Sequence, residues 1–430
     1  QHAQLRLPVT GDGRPQGEGA DAFLLHLPES CFPGGWPARI GVAVSGGSDS
    51  LALLHLFARI QGHRGGALHA VTVDHRLRPE AAEEARFVAG MCAGLGVSHD
   101  TLVWDHGRID GNLQDQARRA RYGLIGAWAR DRGIGSVVLG HTADDQAETF
   151  LMGLARGAGI DGLCGMRRSW EEGGIRWMRP YLTVPRADLR AYLTRHGITW
   201  VDDPSNADDR FQRVKARKVL AALRPLGITA EGLSAVADTL SIAQGALKSA
   251  AVERAWAILR TEAGEVILDR QGFRLTHPET ARRILIAALR WVSSAAYAPR
   301  AAQMERLHEA IRQGRDATLW GCRLRIGKAE IHITREPKAV AALATPTDAI
   351  WDGRWRLTGP HHADLRIRAL GAEGLRACKT WRDSGISRAA LVVSPAVWRG
   401  QTLVAAPLAG HGAGWTAEIV TGHLCTLITH

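Results

Sequence analysis

From residue 38 the chain sets short apolar runs against longer segments with a helical period. ARIGVAVS (38–45) reads as a buried strand, and the next segment places Leu51, Leu54, Leu56, Phe57 and Ile60 as one helix face would. ALHAVTVD (67–74) predicts a second strand. PEAAEEARFVAGMCAGLG (79–96) predicts a helix opened by Pro79, whose missing N–H costs nothing in a first turn. A third strand is expected at 97–104, a long basic helix at 112–133, a fourth strand at 135–140 and a helix at 142–157. This alternation predicts an α/β fold, a doubly wound parallel sheet that binds ligands beyond the carboxyl ends of its strands.

Past residue 170 the pattern loosens. PRADLRAYLTRHG (185–197) and FQRVKARKVLAALR (211–224) read as helices on either side of a polar loop, WVDDPSNADDR (200–210). Helical patterns dominate from about 229 to 315, TLWGCRLRIGKAEIHITRE alternates as a hairpin would, and short strands with Gly and Pro turns follow. The expected organisation is a flexible arm over 1–30, an α/β domain over 31–224, a mainly helical domain over 225–340 and a small β-rich domain over 341–430.

Charge adds a partner class. Fifty-four Lys and Arg against 43 Asp and Glu leave a net charge of +11, which favours nucleic acid or an acidic membrane surface. No apolar run approaches the roughly 18 residues of a spanning helix. Residues 1–21 also lack the apolar core of a signal peptide. The six cysteines are scattered without CxxC spacing, which predicts neither a zinc site nor an iron–sulfur site but reduced thiols in the cytoplasm.

The sharpest motif is SGGSDS, Ser45–Gly46–Gly47–Ser48–Asp49–Ser50, lying between a predicted strand and a predicted helix. Glycines let the backbone approach a phosphate closely, and the helix N-terminus offers unpaired N–H groups and a positive dipole end. The three serines add hydroxyl donors. Asp49 would repel phosphates unless Mg²⁺ lies between them. The string lacks the lysine of a Walker A motif, so it predicts a different pyrophosphate-binding loop.

Other residues have chemistry of their own. Asp144, Asp145 and Glu148 fall three and four apart on one helix, so a face of carboxylates beside His141 could hold Mg²⁺, orient an ammonium or take its proton. The same spacing also suits a solvated face paired with arginines. Arg118 and Arg121 share a helix side that could meet phosphate. Asp74 and His75, at the end of the second strand, could line a nucleotide pocket or serve as a cap.

These strings resemble a known family. SGGSDS is similar to the SGGxDS signature of PP-loop ATP pyrophosphatases, which cleave ATP between the α and β phosphates. VDHRLRPEAAEEA (73–85), NLQDQARRARYGLI (112–125) and LGHTADDQAETFLMGLARGAGIDGLCGM (139–166) resemble the corresponding blocks of the lysidine synthases. The resemblance is strong over roughly 38–210. Arg76 stands where that family usually has glycine, and Val214 where asparagine is expected. The resemblance implies ATP and Mg²⁺, with L-lysine and a tRNA(Ile) of anticodon CAU as substrates. The wobble cytidine would be adenylated at C2 through its O2, and the lysine ε-amine would then displace AMP to leave lysidine. It implies Asp49, Arg118, His141, Asp145 and Glu148 as catalytic, Asp49 as metal ligand, and Ser45–Ser50 with Asp74 and His75 on ATP. Arg121, Asp144, Arg156, Arg213, Lys215 and Arg217 would meet substrate or tRNA, with the domains over 225–340 and 341–430 holding the tRNA body. A homodimer is compatible with all of this. Rival readings are a PP-loop thiolase, which usually needs paired cysteines, and a basic RNA-binding protein with an inactive nucleotide site.

Overall fold

The computed structural model describes residues 18–77, 80–107, 113–202, 212–295 and 299–429. Pro79, Asn112, the loop residues 203–210, Phe211 and residues 1–17 of the expected arm lie outside the described residues. The chain divides into two compact units after Ile242.

The first unit holds a six-stranded sheet: β1 (Arg39–Ala43), β2 (Ala67–Asp74), β3 (Ser98–Val103), β4 (Ser136–Leu139) and the hairpin β5 (Ser169–Glu172) and β6 (Ile175–Met178). Its order is β3-β2-β1-β4-β6-β5, parallel except for β5. The chain therefore builds outward from β1 on one side and returns to β4 on the other. This reversal opens a crevice at the carboxyl ends of β1 and β4, where such sheets bind ligands.

Helices cover both faces: α1 (Glu18–His26), α2 (Ser48–Arg64), α3 (Ala81–Gly94), α4 (Leu113–Asp131), α5 (Ala143–Leu154), α6 (Ile160–Leu163), α7 (Arg186–Arg195) and α8 (Gln212–Leu223). Alternation along the strands sorts the core in two. Ile40, Val42 and Val138 join Leu51, Leu54 and Phe57 of α2 and Leu189 of α7. Val71, Val137 and Leu139 turn the other way, onto Ile125 and Trp128 of α4. Fully burying a Leu or Phe is worth about 1.5–3 kcal/mol, so α2, with five such side chains buried from Leu51 to Phe57, is a main anchor of the sheet.

The expected arm over 1–30 is corrected at its end. Residues 18–26 form α1, Leu24 is buried, and its carbonyl accepts a hydrogen bond from the Tyr181 hydroxyl at 3.1 Å.

In the second unit, which begins within α9 (Ala230–Ile258), the stretch read as helical contains a hairpin. β7 (Leu259–Glu262) and β8 (Glu265–Asp269) turn through Ala263 and Gly264, both at positive φ, 45° and 81°. Without Asn-Gly or Asp-Gly the turn is hard to see in sequence. After α10 (Arg270–Arg274), α11 (Pro278–Ser293) and α12 (Ala301–Arg312), three strands follow rather than a lone hairpin. They are β9 (Ala317–Leu319), β10 (Cys322–Ile326) and β11 (Glu330–Arg335), and the sheet runs β7-β8-β11-β10-β9. Ile284, Leu285 and Ala288 of α11 pack with Val266, Leu324 and Ile333 of that sheet.

The remainder is built of short strands. β12 (Thr345–Pro346), β14 (Leu365–Ala369), β15 (Pro395–Arg399) and β16 (Thr402–Ala405) form one sheet, and β13 (Trp355–Thr358) pairs with β17 (Thr416–Ile419). All six cysteines are buried, and none is in a disulfide. Among the described residues no single helix is long and apolar enough to cross a membrane.

Candidate active site

The loop Ser45–Ser50 leaves β1 and enters α2 as the hydrophobic pattern required. Gly46 takes φ +87°, a left-handed conformation that a side chain resists. Ser50 Oγ donates to the Gly47 carbonyl at 3.0 Å and accepts from the Ser45 amide at 3.1 Å, which closes the loop on itself. Gly140, at the end of β4, faces that loop so closely that a Cβ there would stand 2.9 Å from Ser50 Cα. Only glycine lets the end of β4 meet the first turn of α2.

A cleft of ≈ 460 Å³ opens at this point. Ser45, Gly47 and Ser50 line one end. Val73, Leu77 and Ile125 supply apolar wall, and His75, Arg121 and His141 supply polar groups. Burial pushes the His75 imidazole below its ordinary range, and its Nδ1 is buried with no hydrogen-bond partner among the described residues. Asp74 does not line the cleft. Its Oδ1 accepts the Arg76 amide at 2.8 Å and braces the turn in which Arg76 holds φ 50°. That left-handed backbone is the physical reason a glycine suits position 76.

Beside the cleft lies a buried ionic cluster. α7 presents Arg186, whose Nε donates to Asp49 Oδ2 at 2.8 Å. Its Nη2 lies 3.3 Å from Asp145 Oδ1 and its Nη1 3.6 Å from Glu148 Oε1. From α8, Arg213 reaches Asp145 at 3.5 Å and Arg217 reaches Glu148 at 2.6 Å. Three carboxylates thus meet three guanidiniums. The acidic face of α5 is paired with arginines, yet it is not solvated, because Asp145 and Glu148 are both buried.

The carboxylates are not equivalent. Asp145 Oδ2 accepts from the Thr142 amide and hydroxyl at 2.9 and 3.0 Å, which caps α5. Burial would raise Asp145, but Arg186, His141, Arg213 and that amide outweigh it and hold it below the usual carboxylate range. Glu148 and Asp49 go the other way, because burial prevails over their arginine partners. Glu148 Oε2 is buried with no hydrogen-bond partner among the described residues. Asp144, expected on substrate, accepts the Arg186 amide at 2.7 Å and caps α7.

Other expected residues scatter. Arg118 lies over the Tyr122 ring at 5.1 Å. Arg156 and Lys215 are exposed, whereas Arg213 and Arg217, expected on tRNA, turn inward to the carboxylates. Val214 is buried.

Sequence reasoning missed Arg186, Arg190 and Arg179. Arg190 donates to Ser48 Oγ at 3.2 Å, and Arg179 donates to His141 Nδ1 at 3.1 Å. Arg186 stands 137 positions from Asp49, so no local spacing in the sequence pairs the two.

Comparison with known proteins bears on this site. Residues 33–223 match the family model described as PP-loop domain. The chain is 46% identical to a tRNA(Ile)-lysidine synthase of Ruegeria pomeroyi, covering 96% of this chain and 99% of that relative. It is 37% identical to one of Hyphomonas neptunium, covering 79% and 93%. Among solved structures it is similar to a U34-tRNA thiolase from Methanococcus maripaludis with its [4Fe-4S] cluster. That match has a TM-score of 0.46 and 12% identity, and covers 55% of this chain and 88% of that one.

Proposed function

Because the chain belongs to the tRNA(Ile)-lysidine synthase family of PP-loop enzymes, we propose that its cleft binds ATP and its buried carboxylates serve lysine. The reaction joins L-lysine to C2 of the wobble cytidine in a CAU anticodon. The observation that carries the site assignment is the ≈ 460 Å³ cleft, with the phosphate loop at one end and the Asp49–Asp145–Glu148 cluster alongside.

Cytosine O2 attacks the α-phosphorus of ATP. A new O–P bond forms, the α–β bridge breaks and pyrophosphate leaves. Loop N–H groups and the Ser45 hydroxyl stabilise charge on the departing end, while Ser50, whose hydroxyl donates to the Gly47 carbonyl, holds the loop in shape before the reaction. Arg121 lines the same cleft and has no carboxylate partner among the described residues, so its charge is available to the phosphates. In the second step the lysine ε-amine forms a C–N bond at C2, the C2–O2 bond breaks, and AMP departs with the oxygen.

The ε-ammonium, with a solution pKa of about 10.4, must first lose a proton. Of the two candidate bases the environment favours Glu148. Asp145 is committed to its cap and held low, whereas Glu148 is raised and keeps Oε2 unpartnered. Raising a carboxylate narrows its mismatch with an amine. Arg213 and Arg217 then belong to this site, and they neutralise the cluster until lysine arrives.

The donor set fits a magnesium ion shared with ATP. Asp49 Oδ1 accepts a hydrogen bond from the Ser48 hydroxyl at 3.1 Å, and Mg²⁺ commonly takes one or two carboxylates together with substrate phosphates. When bound, the ion would screen phosphate charge from Asp49 and polarise the phosphoryl oxygens.

The tRNA body is assigned to the second unit. Residues 243–430 carry 26 Lys and Arg against 16 Asp and Glu, nearly the whole basic surplus of the chain. Arg323 and Arg325 sit on the outer face of β10, exposed and two residues apart, with no ion pair among the described residues. A thiolase reading has less support, since the six cysteines are separate and buried.

Pyrophosphate release tests the proposal, with unmodified tRNA(Ile) transcript present or absent and lysine present or absent. Release with tRNA alone, and AMP only after lysine is added, is the expected result. Lysine-dependent release without tRNA would mean that lysine, not cytosine, is adenylated.

A further inference from the structure

Arg179 leaves the end of β6 and is almost wholly buried, 3% exposed. Its guanidinium lies over the Trp170 ring at 4.3 Å, with Nη1 donating to the Arg167 carbonyl at 2.5 Å and Nη2 to the Tyr122 hydroxyl at 3.2 Å. Its third nitrogen, Nε, donates its one N–H to His141 Nδ1 at 3.1 Å. One face of the group lies on Trp170 and each of its three nitrogens donates a hydrogen bond, so its direction is set by these contacts.

A guanidinium can only donate, and it stays protonated in proteins. The nitrogen it meets must offer a lone pair. His141 Nδ1 therefore carries no proton, and a neutral ring must carry its proton on Nε2. The His141 backbone amide is tied to the Leu139 carbonyl at 3.1 Å and the next residue caps α5, which fixes the backbone from which the ring leaves. Its Nε2 has no partner among the described residues, and the ring lines the cleft beside the phosphate loop.

We propose that Arg179 is a positioning residue that locks His141 as the Nε2–H tautomer, so that the imidazole meets the bound nucleotide as a hydrogen-bond donor and not as a base. Burial, aided by the Arg179, Arg121 and Arg213 charges and opposed by Asp145, agrees with this by pushing His141 down to about 3. The ligand atom it fits is an acceptor oxygen of the nucleotide, on phosphate or ribose. A neutral donor keeps its strength across the physiological pH range, which an imidazolium would not. The arrangement rests on the cleft being the nucleotide site, but the tautomer itself does not.

Two measurements test it. Long-range ¹⁵N–¹H correlation on the intact protein, with the His141 signals assigned by their loss in His141→Asn, reports the tautomer directly. A protonated Nδ1 in the wild-type ring would overturn the proposal whatever the enzyme does. The second compares His141→Gln, whose amide nitrogen can stand near Nε2, with His141→Asn, whose amide stands near Nδ1. Pyrophosphate release should survive at least about tenfold better in the glutamine variant, about 1.4 kcal/mol of transition-state stabilisation. Equal activities would remove the donor role. In Arg179→Lys, which keeps a cation without the fork, the Nδ1 signal should lose its single unprotonated signature if Arg179 sets it. An unchanged signature would mean the ring is oriented by something else. If the wild-type protein released no pyrophosphate with tRNA, the nucleotide reading would fail while the tautomer result stood.

Discussion

The two units handle charge in opposite ways. Residues 1–242 contain 28 Lys and Arg against 27 Asp and Glu, nearly balanced, and at the active site they turn those charges inward. Arg186, Arg213 and Arg217 neutralise Asp49, Asp145 and Glu148 out of water. Residues 243–430 hold the surplus and leave cations such as Arg323 and Arg325 outside. A buried, balanced cluster can discriminate one small cation or phosphate because every group is desolvated and directed. An exposed, unbalanced face attracts a polyanion at long range but reads little of its detail. On the function proposed above, chemistry and grip are separated along the chain.

The largest effect is expected where the second unit does bury an ion pair. Arg335 grips Asp352 with Nε at 2.9 Å and Nη2 at 2.7 Å, and buried Arg354 stands 3.6 Å from the same carboxylate. Asp352→Ala should cost about 3–5 kcal/mol, because two cations lose their partner. Urea unfolding checks this, and a loss below 1 kcal/mol, on the order expected of exposed pairs, would erase the contrast between buried and exposed charge.

Next comes Asp49→Asn, which should slow pyrophosphate release by about 10²–10³-fold, since stabilisation of the leaving group is lost. Filter binding on the same preparation should show tRNA affinity unchanged. Near-normal turnover would remove Asp49 from the phosphate site.

A smaller effect separates the two sets of arginines. Arg323→Ser with Arg325→Ser should weaken tRNA binding and flatten its salt dependence by about one unit of slope per phosphate contact, with ATP affinity intact. Arg217→Gln should leave that slope alone and slow lysine-dependent AMP release. If the slopes respond the other way round, the tRNA lies on α8.

The smallest effect is linked to pH. His141 is neutral when folded down to about 3, while the unfolded ring takes a proton near 6.5. A depressed pKa means its contribution is intact above 6.5 and is lost as pH falls toward 3. Between pH 7 and 5, His141→Gln should lose less stability than the wild type, by about 1–2 kcal/mol. Parallel unfolding curves would contradict a buried neutral imidazole.

Much of the first unit was legible in sequence because its signals are local. Strand runs, helix periods and the glycines of SGGSDS each act within a few residues. The second unit was harder to read. Its β7–β8 turn uses Ala263–Gly264 rather than a stronger turn pair, and β8 finds its partner β11 some 60 residues on. The cap that Asp144 provides to α7 was hidden for a related reason, since a carboxylate looks alike in sequence whether it caps a neighbouring helix or meets a ligand.

By itself the sequence determined the parallel sheet, the phosphate loop after β1 and the acidic face of α5, all consequences of short-range periodicity and backbone sterics. It also determined an overall surplus of positive charge, though not which cations would stay free. Tertiary structure decided the pairing. Folding brings Arg186 from α7 and Arg213 and Arg217 from α8 onto three carboxylates, and Arg179 from β6 onto His141. Those choices depend on desolvation and on distances across 38 to 137 residues of chain, which no local pattern encodes.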